Sequence, residues 1–439
     1  MARSNQLQTN LHFEPRNVGR YIVWGFTALI FLLVPFVFTQ SFALTLMSIM
    51  GIIIIFSLSY NMLLGQTGML SFGHAVYSGL GAFVAIHALN MIGAGKLHFP
   101  VWGIPLIGGI AGAFFGVVFG YVTTKKSGTP FAMITLGIVE LVFACSLMFQ
   151  GFFGGDAGIS TNRVVKDALL ANAFGVDFSS SRQVYYLIAV WCFVCMIAMF
   201  AFTHTPLGRI ANAVRENPER VEFIGYNTQH VRFLVVVVSS FFAGISGGLS
   251  AINFELVTAE NVSAVRSGGV LLATFIGGAL FFFGPILGAI VFVMFAFALS
   301  DFTKAWQLYL GLFFVIMVLF APGGLSSLIL MNLRVAAKGK FRQLTDSYVG
   351  VILGGIVLFI GMVMAVEMTY HLTLEASSGS VMRLFGFETD TAGANAWLIC
   401  AALVVGGVLM FEPMRRQFSR DWDKVQVEIE EDEAKKVVL

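Results

Sequence analysis

Apolar runs long enough to cross a lipid bilayer as helices follow one another along most of this chain. They occupy residues 21–38, 42–64, 75–92, 101–122, 131–149, 184–202, 233–252, 348–370 and 394–411. A shorter apolar run, residues 306–320, leads to a helix stop at residues 321–325. A further run, residues 270–299, is broken at Gly277-Gly278 and at Gly284-Pro285, which predicts two short half-helices that meet at the break. The pattern predicts an all-α polytopic membrane protein with about ten to eleven transmembrane helices.

The composition leaves little sequence for a soluble domain. Of the 439 residues, 57% are hydrophobic and 11% are charged, whereas soluble domains carry about 25% charged residues. The net charge of +2 gives no indication of a nucleic-acid partner. All four cysteines lie inside apolar runs, which predicts free thiols and no metal site. They are Cys145, Cys192, Cys195 and Cys400.

Basic residues outside the apolar runs indicate the orientation, because they concentrate in the cytoplasmic loops of membrane proteins. The basic clusters are the N-terminus, Lys125 with Lys126, and residues 209–232, 334–342 and 415–420. One alternation of spans places all of them on one side of the membrane. We therefore expect both termini in the cytoplasm, with residues 150–182 and 375–393 on the outside.

Two interruptions rich in glycine, residues 65–74 and 270–299, fall in the two halves of the core between residues 42 and 320. Paired interrupted helices are typical of a duplicated transport unit around a central site. We therefore treat Gly277 and Gly278, at the second interruption, as candidate positions in a translocation pathway.

The first interruption allows two structures. It can unwind so that Gln66, Thr67 and Ser71 line a cavity, or it can form a tight turn between adjacent helices. His74 begins the next helix, either as a pathway residue or as a structural polar side chain. The residues alone decide neither between a cavity and a turn nor between the two roles of His74.

Glu140 lies in the middle of the run 131–149. An ionisable side chain at that depth is costly and usually faces the interior of a helix bundle or a water path. Glu140 is therefore a candidate pathway residue, the alternative being a carboxyl group that hydrogen-bonds to a neighbouring helix.

The polar segment 203–232 contains helix, cap and stop signals that a flexible connecting loop would not need. Residues 208–216, which include Arg209, Arg215 and Glu216, are predicted to be helical. Asn217 is a good N-cap, Pro218 suits a first helical position, and Glu219 complements the positive end of the helix dipole.

Gly225 then ends this second, short helix, whose Val221 and Ile224 are spaced to share one side. Either a partner protein docks against that side, or the helix rests on lipid headgroups.

Small residues recur at packing intervals elsewhere in the chain. Gly108, Gly112, Gly116 and Gly120 form a stripe that predicts close helix packing. Residues 244–248 match the G-x-S-x-G pattern of hydrolases, but they lie in an apolar run instead of a strand–turn–helix, so a packing face is favoured. Nothing in the sequence supports catalysis.

Several longer motifs resemble the branched-chain amino-acid ABC transporter permeases of the LivM type. They are NMLLGQTGMLSFGHA at 61–75, SGLGA at 78–82, TLGIVE at 135–140, FGGDAGI at 153–159, GRIANAVREN at 208–217, the Gly277-Gly278 pair, FGPILGA at 283–289 and LFAPGGL at 319–325. They occur in the family order over about residues 20 to 330.

The resemblance implies a membrane subunit of an ATP-driven importer in the bacterial inner membrane. Two separate ATPase subunits would bind ATP and Mg, so this chain would be neither an enzyme nor in need of a cofactor. A second, LivH-like permease subunit and a periplasmic binding protein would complete the importer. The segment 209–225 would then be the cytoplasmic loop that docks on an ATPase subunit.

The resemblance also divides the chain. Residues 1–20 would be a cytoplasmic segment, 21–330 the permease core, 331–347 a basic cytoplasmic linker, 348–411 two additional transmembrane helices, and 412–439 a cytoplasmic tail. The last three depart from the family, whose members usually end soon after residue 325. A self-sufficient secondary transporter or channel is the alternative function, although such a carrier has no need of an ATPase dock.

Overall fold

The computed structural model describes residues 18–164, 177–374, 380–384 and 387–438. The helices are α1 Val18–Val37, α2 Ser41–Thr67, α3 His74–Gly93, α4 Ile104–Thr123, α5 Thr129–Met148, α6 Gln150–Phe153, α7 Ser181–His204, α8 Pro206–Glu216, α9 Pro218–Phe223, α10 Thr228–Phe254, α11 Ala264–Gly277, α12 Gly284–Val293, α13 Trp306–Phe320, α14 Gly324–Ala337, α15 Phe341–Leu374 and α16 Ala394–Val438. Two short antiparallel ribbons pair β1 Ile159–Ser160 with β2 Leu256–Val257, and β3 Val381–Leu384 with β4 Phe387–Asp390.

The predicted all-α polytopic fold is confirmed. Among the described residues, 9 helical segments are long and apolar enough to cross a membrane, or up to 10 if the bent α13–α14 pair forms one span. The upper count of 10 equals the lower limit of the predicted ten to eleven helices, and the count is not higher because Tyr21–Val37 and Ala264–Gly277 are shorter apolar helices.

The second interruption differs from the prediction in its second half. Helix α11 ends at Gly277, as expected, and is short enough to be a half-helix. Helix α12, however, continues through a π-helical turn and a 3-10 turn, so that Gly284–Asp301 is long enough to span. The apolar residues after Val293 allow this continuation, and Pro285 suits the first turn because a helix needs no amide donor there.

The chain forms two compact units, Met1–Thr274 and Phe275–Leu439. In the first unit, α10 packs against α2, α3 and α4. The predicted glycine stripe of α4 faces α10, where a Cβ atom added at Gly108 or Gly112 would lie within 3.0 Å of the backbone of residues 240–244. Only residues without a side chain allow this approach, so the stripe brings the two helices together.

The G-x-S-x-G segment of α10 is part of the same packing, as predicted. Gly244 lies against α4, and a Cβ atom at Gly247 would lie 1.9 Å from the carbonyl oxygen of Ser78 on α3. The hydroxyls of Ser246 and Ser78 are 3.2 Å apart. Ser246 therefore joins α10 to α3 inside the first unit.

The second unit contains the two additional helices as an antiparallel pair. Glycines at the contact bring α15 and α16 together, because Gly354 faces Phe411 and Gly361 faces Val404. The segment predicted as a tail differs from a simple tail, since α16 continues through Pro413 to Val438. A small apolar cluster holds this continuation against α14 and the start of α15. Its buried members are Val335, Leu344, Val425 and Ile429.

Candidate functional site

The polar segment between α7 and α10 folds as two capped helices. The hydroxyl of Thr205 accepts a hydrogen bond from the Gly208 amide at 3.2 Å, which caps α8. The side chain of Asn217 accepts one from the Arg220 amide at 2.9 Å, which caps α9, and Pro218 is in the first turn of α9. Gly225 has a φ of 92°, a left-handed conformation that ends the segment. The predicted cap at Asn217 and the predicted stop at Gly225 are confirmed, whereas the cap at Thr205 was not predicted.

The predicted common side of Val221 and Ile224 is wrong. Val221 is 2% exposed and is buried within the chain, whereas Ile224 is 66% exposed. The reason is that α9 ends at Phe223, so Ile224 is the C-cap residue and lies outside the helical spacing. Burial of Val221 holds α9 against its own unit, and Ile224 remains available to a partner.

The apolar residues exposed at the end of α9 are Phe223, which is 89% exposed, Ile224, and Tyr226, which is 47% exposed. We call these three residues the α9 tip. Glu219, Glu222 and Phe223 line an adjoining open depression of about 350 Å³. The carboxylate of Glu222 also accepts a hydrogen bond from the Thr228 hydroxyl at 2.7 Å, which ties α9 to the start of α10.

Helix α8 packs on the ends of α2, α7 and α10. Its buried residues are Gly208, Ala211 and Val214, while Arg209 and Glu216 are exposed. Arg215 is half-buried and reaches α2, where its guanidinium donates a hydrogen bond to the backbone carbonyl of Gly65. Its side chain also covers Gly68, at which an added Cβ atom would lie 3.1 Å from the Arg215 Cγ.

The first glycine-rich interruption is a buried, hydrogen-bonded connection between α2 and α3. Helix α2 includes Gln66 and Thr67 and ends where Gly68 adopts a φ of 68°. The Ser71 carbonyl accepts a hydrogen bond from the Tyr60 hydroxyl at 3.0 Å, and Ser71 is 1% exposed. This geometry is that of a turn within the unit. A cavity lined by Gln66, Thr67 and Ser71 stays a prediction.

The same connection contacts two other helices through its backbone. The Phe72 amide donates to the Thr135 hydroxyl on α5 at 3.1 Å, and the Ala75 amide donates to the Ser267 hydroxyl on α11 at 3.0 Å. The connection therefore joins α2, α3, α5 and α11 at one place.

His74 is fully buried at the start of α3. Its Nε2 atom lies 3.0 Å from the Ser59 hydroxyl, and its ring stacks on Phe56 with the ring centres 5.5 Å apart. These contacts are those of a structural polar side chain, and its assignment to the pathway stays a prediction.

Glu140 does not face the interior of its unit. It is exposed on the outer side of α5, on a stripe with Met133, Gly137 and Ala144. The predicted alternative of a hydrogen bond to a neighbouring helix has no counterpart among the described residues.

Gly277 and Gly278 are buried where three backbone segments of the second unit meet. A Cβ atom at Gly277 would lie 1.9 Å from the Gly284 carbonyl, and Gly278 has a φ of 101° against the backbone of Gly323. Glycine is required here by close approach and by a left-handed conformation. Pathway roles for this pair stay predictions.

Arg266 on α11 is a residue that the sequence does not single out. Its Nε atom is buried with no hydrogen-bond partner among the described residues. One sequence signal could have identified it: Arg266 is a lone arginine between two apolar runs, away from the basic loops.

Residues 42–322 match the family described as "Branched-chain amino acid transport system / permease component". The chain belongs to this permease family. The resemblance seen in its motifs is thereby confirmed, and the permease is a transport protein and not an enzyme.

Individual relatives agree with the family match. The permease is 27% identical over 309 residues to the high-affinity branched-chain amino acid transport system permease protein LivM of Escherichia coli (strain K12), covering 66% of this chain and 72% of that one. It is 20% identical over 244 residues to the probable branched-chain amino acid transport permease protein LivH of Methanocaldococcus jannaschii, covering 55% and 75%.

A shorter match is to the guanosine ABC transporter permease protein NupQ of Bacillus subtilis (strain 168), with 31% identity over 119 residues and coverage of 27% and 36%. No solved structure matches the chain.

Proposed function

We propose that this permease is a membrane subunit of an ATP-driven importer for branched-chain amino acids or a related small polar or carboxylate solute. It works with two ABC ATPase subunits that hold ATP and Mg, a LivH-like second permease subunit, and a periplasmic binding protein that delivers the solute. The importer resides in the bacterial inner membrane with both termini of this chain in the cytoplasm.

The α9 tip is the observation that carries the proposal. Large apolar side chains exposed outside a bilayer mark interaction sites, and Phe223 and Ile224 are exposed between polar residues of a capped loop. A secondary carrier has no use for such a surface, whereas an ATPase subunit needs a rigid dock. Burial of Val221 and the Asn217 cap supply the rigidity.

Contacts within the first unit support a route by which docking reaches the membrane. Arg215 connects α8 to the end of α2 at Gly65, and the following connection binds Thr135 on α5. A rigid displacement of the dock would therefore move α2 and α5 together.

The outer side of α5 supports the proposed partnership with a second permease subunit. A carboxyl group at Glu140 that faced lipid near the bilayer centre would cost about 2.5–3.5 kcal/mol on insertion scales. Gly137 and Ala144 on the same stripe are small and exposed, which suits close helix packing. We therefore place the pathway between the two permease subunits, with Glu140 facing it.

The test is purification of the assembled complex in proteoliposomes, followed by assays of L-leucine uptake and ATP hydrolysis. We expect uptake that requires ATP and hydrolysis that rises with the loaded binding protein. Uptake driven by an ion gradient in the absence of the ATPases would contradict the proposal and support a secondary carrier.

A further inference from the structure

Arg266 lies at the end of its unit opposite the α8–α9 loop. It is in the first turn of α11, and its guanidinium reaches the last turns of α10, where its Nη2 atom is 3.5 Å from the Ser250 hydroxyl. Helix α10 begins next to α9 and runs the length of the unit to this end. Arg266 is therefore well away from the proposed ATPase dock.

The charge of Arg266 is not balanced by any described residue. Its Nε atom is buried and unpartnered, and its guanidinium forms no ion pair with a described carboxylate. The neighbouring Arg163, by contrast, has partners for its charge. Its guanidinium lies 3.9 Å from the carboxylate of Glu255 and donates a hydrogen bond to the carbonyl of Asn253. A half-buried guanidinium that lacks such partners is costly unless an anion approaches it.

The surroundings of Arg266 offer donors and positive potential. The positive end of the α11 dipole lies at this turn, since Ser263 caps the helix by accepting from the Arg266 amide at 3.3 Å. One turn along α10 from Ser250, the side-chain nitrogen of Asn253 is also buried without a partner in the part of the chain that the structure describes. The Nε atom of Arg266 and the side-chain nitrogen of Asn253 are hydrogen-bond donors that lack acceptors among the described residues. A ligand with acceptor oxygens would satisfy them.

We propose that Arg266, supported by Ser250 and Asn253, binds the carboxylate of the transported solute. The planar guanidinium fork matches the two oxygens of a carboxylate. This inference rests on the proposed permease function and narrows its substrate class to solutes that carry a carboxylate. A neutral nucleoside, the class named for the shorter relative, would leave the guanidinium unpaired.

The direct test is chemical modification of the full-length permease in nanodiscs of phosphatidylcholine, without the binding protein. Phenylglyoxal modifies accessible arginine side chains, and mass spectrometry of the peptide that contains Arg266 measures the modified fraction. We expect L-leucine to protect Arg266 and L-leucinol, which has no carboxylate, to leave it unprotected. Equal protection by both, or by neither, overturns the proposal, as does protection that appears only when an anionic lipid is added.

Uptake by the assembled importer gives a second test. Hydrogen bonds to charged groups contribute enough that Arg266→Gln should reduce L-leucine uptake about 10- to 100-fold. Arg266→Lys should be intermediate, since it keeps the charge and loses the fork. The matched control is Arg182→Gln, which removes an exposed charge at the start of α7, at the same end of the unit, and should leave uptake unchanged.

The outcomes separate this proposal from the proposed function. ATP-dependent uptake of guanosine but not of L-leucine by the unmodified importer would overturn the carboxylate site and leave the importer assignment intact. Wild-type L-leucine uptake by Arg266→Gln at matched membrane levels would do the same. Absence of any ATP-dependent uptake would overturn the importer assignment, and the phenylglyoxal result would still decide the carboxylate site.

Discussion

Arg215 on α8 donates a hydrogen bond to the backbone carbonyl of Gly65 in the last turn of α2, 150 residues earlier in the chain. The last carbonyls of a helix have no partner within the helix, and a cation near that end is stabilising. The contact therefore gives the end of α2 a hydrogen-bond donor, and at the same time it fastens the α8–α9 loop to the glycine-rich connection.

Replacement of Arg215 by alanine should uncouple solute transport from ATPase docking. The change removes a hydrogen bond with a charged donor, which contributes about 1.5–3 kcal/mol, and it leaves the α9 tip unaltered. We expect normal co-purification of the ATPases and a loss of about tenfold or more in solute-stimulated ATP hydrolysis. Both are measured on the purified complex.

Two control variants are needed to interpret the result for Arg215→Ala. Arg215→Lys retains a cation near the end of α2 and should recover part of the stimulation. Lys126→Ala removes an exposed charge between α4 and α5 and should behave as wild type. Full stimulation in Arg215→Ala would show that the Gly65 contact is structural and carries no coupling.

A labelling experiment tests the expected orientation of the permease in the membrane. A membrane-impermeant thiol reagent applied to intact cells should modify Ser179→Cys, just before α7, and should not reach Asn227→Cys, just before α10. The motivation is the distribution of basic residues, since Arg209 to Arg232 should be cytoplasmic. The four native cysteines would be replaced by serine first. Modification of both positions from the same side would refute the proposed topology.

The sequence predicts regular features of this fold well because simple patterns determine them. Apolar length predicts the spans, and the Asn217 and Gly225 signals correctly predict where α9 begins and ends. The glycine stripe of α4 predicts its close contact, although not that α10 is the partner.

Features that depend on long-range contacts could not be derived from one sequence. Val221 and Ile224 have the right spacing for a common side, but the end of α9 at Phe223 separates them. The direction of Glu140 depends on which side of α5 its unit covers. Arg266 stands out only once its Nε atom is seen to be buried without a partner among the described residues.

The two additional helices should stabilise the second unit without being needed for docking. The Tyr309 hydroxyl on α13 donates to the carboxylate of Glu367 on α15 at 2.8 Å, and the family match ends at residue 322. Truncation after Asn332 should therefore give a protein that inserts and binds the ATPases but has a lower melting temperature. Size-exclusion chromatography after heating measures the stability.

Glu367→Gln in the full chain is the companion variant, because it keeps an acceptor oxygen for Tyr309 and should cost less than the truncation. Failure of the truncated protein to bind the ATPases would show that α15 and α16 are integral to assembly.

Carboxylates introduced at the α9 tip should prevent docking. Phe223 and Ile224 are exposed in the isolated chain, so Phe223→Asp and Ile224→Asp should fold and insert normally. If these side chains enter an apolar groove, each change removes a burial contribution of about 1.5–3 kcal/mol and adds the cost of an unpaired charge. Since about 1.4 kcal/mol corresponds to a tenfold change in affinity, docking should weaken at least tenfold.

A matched control separates the apolar contact from a general effect of added charge. Ser127→Asp introduces a carboxylate at an exposed loop position between α4 and α5, on the side of the membrane where the α8–α9 loop is expected. It should preserve co-purification of the ATPases, because an exposed charge contributes little. Normal co-purification and normal uptake by both α9-tip variants at matched expression would mean that the tip rests on lipid headgroups, and the dock would have to be sought elsewhere on the permease.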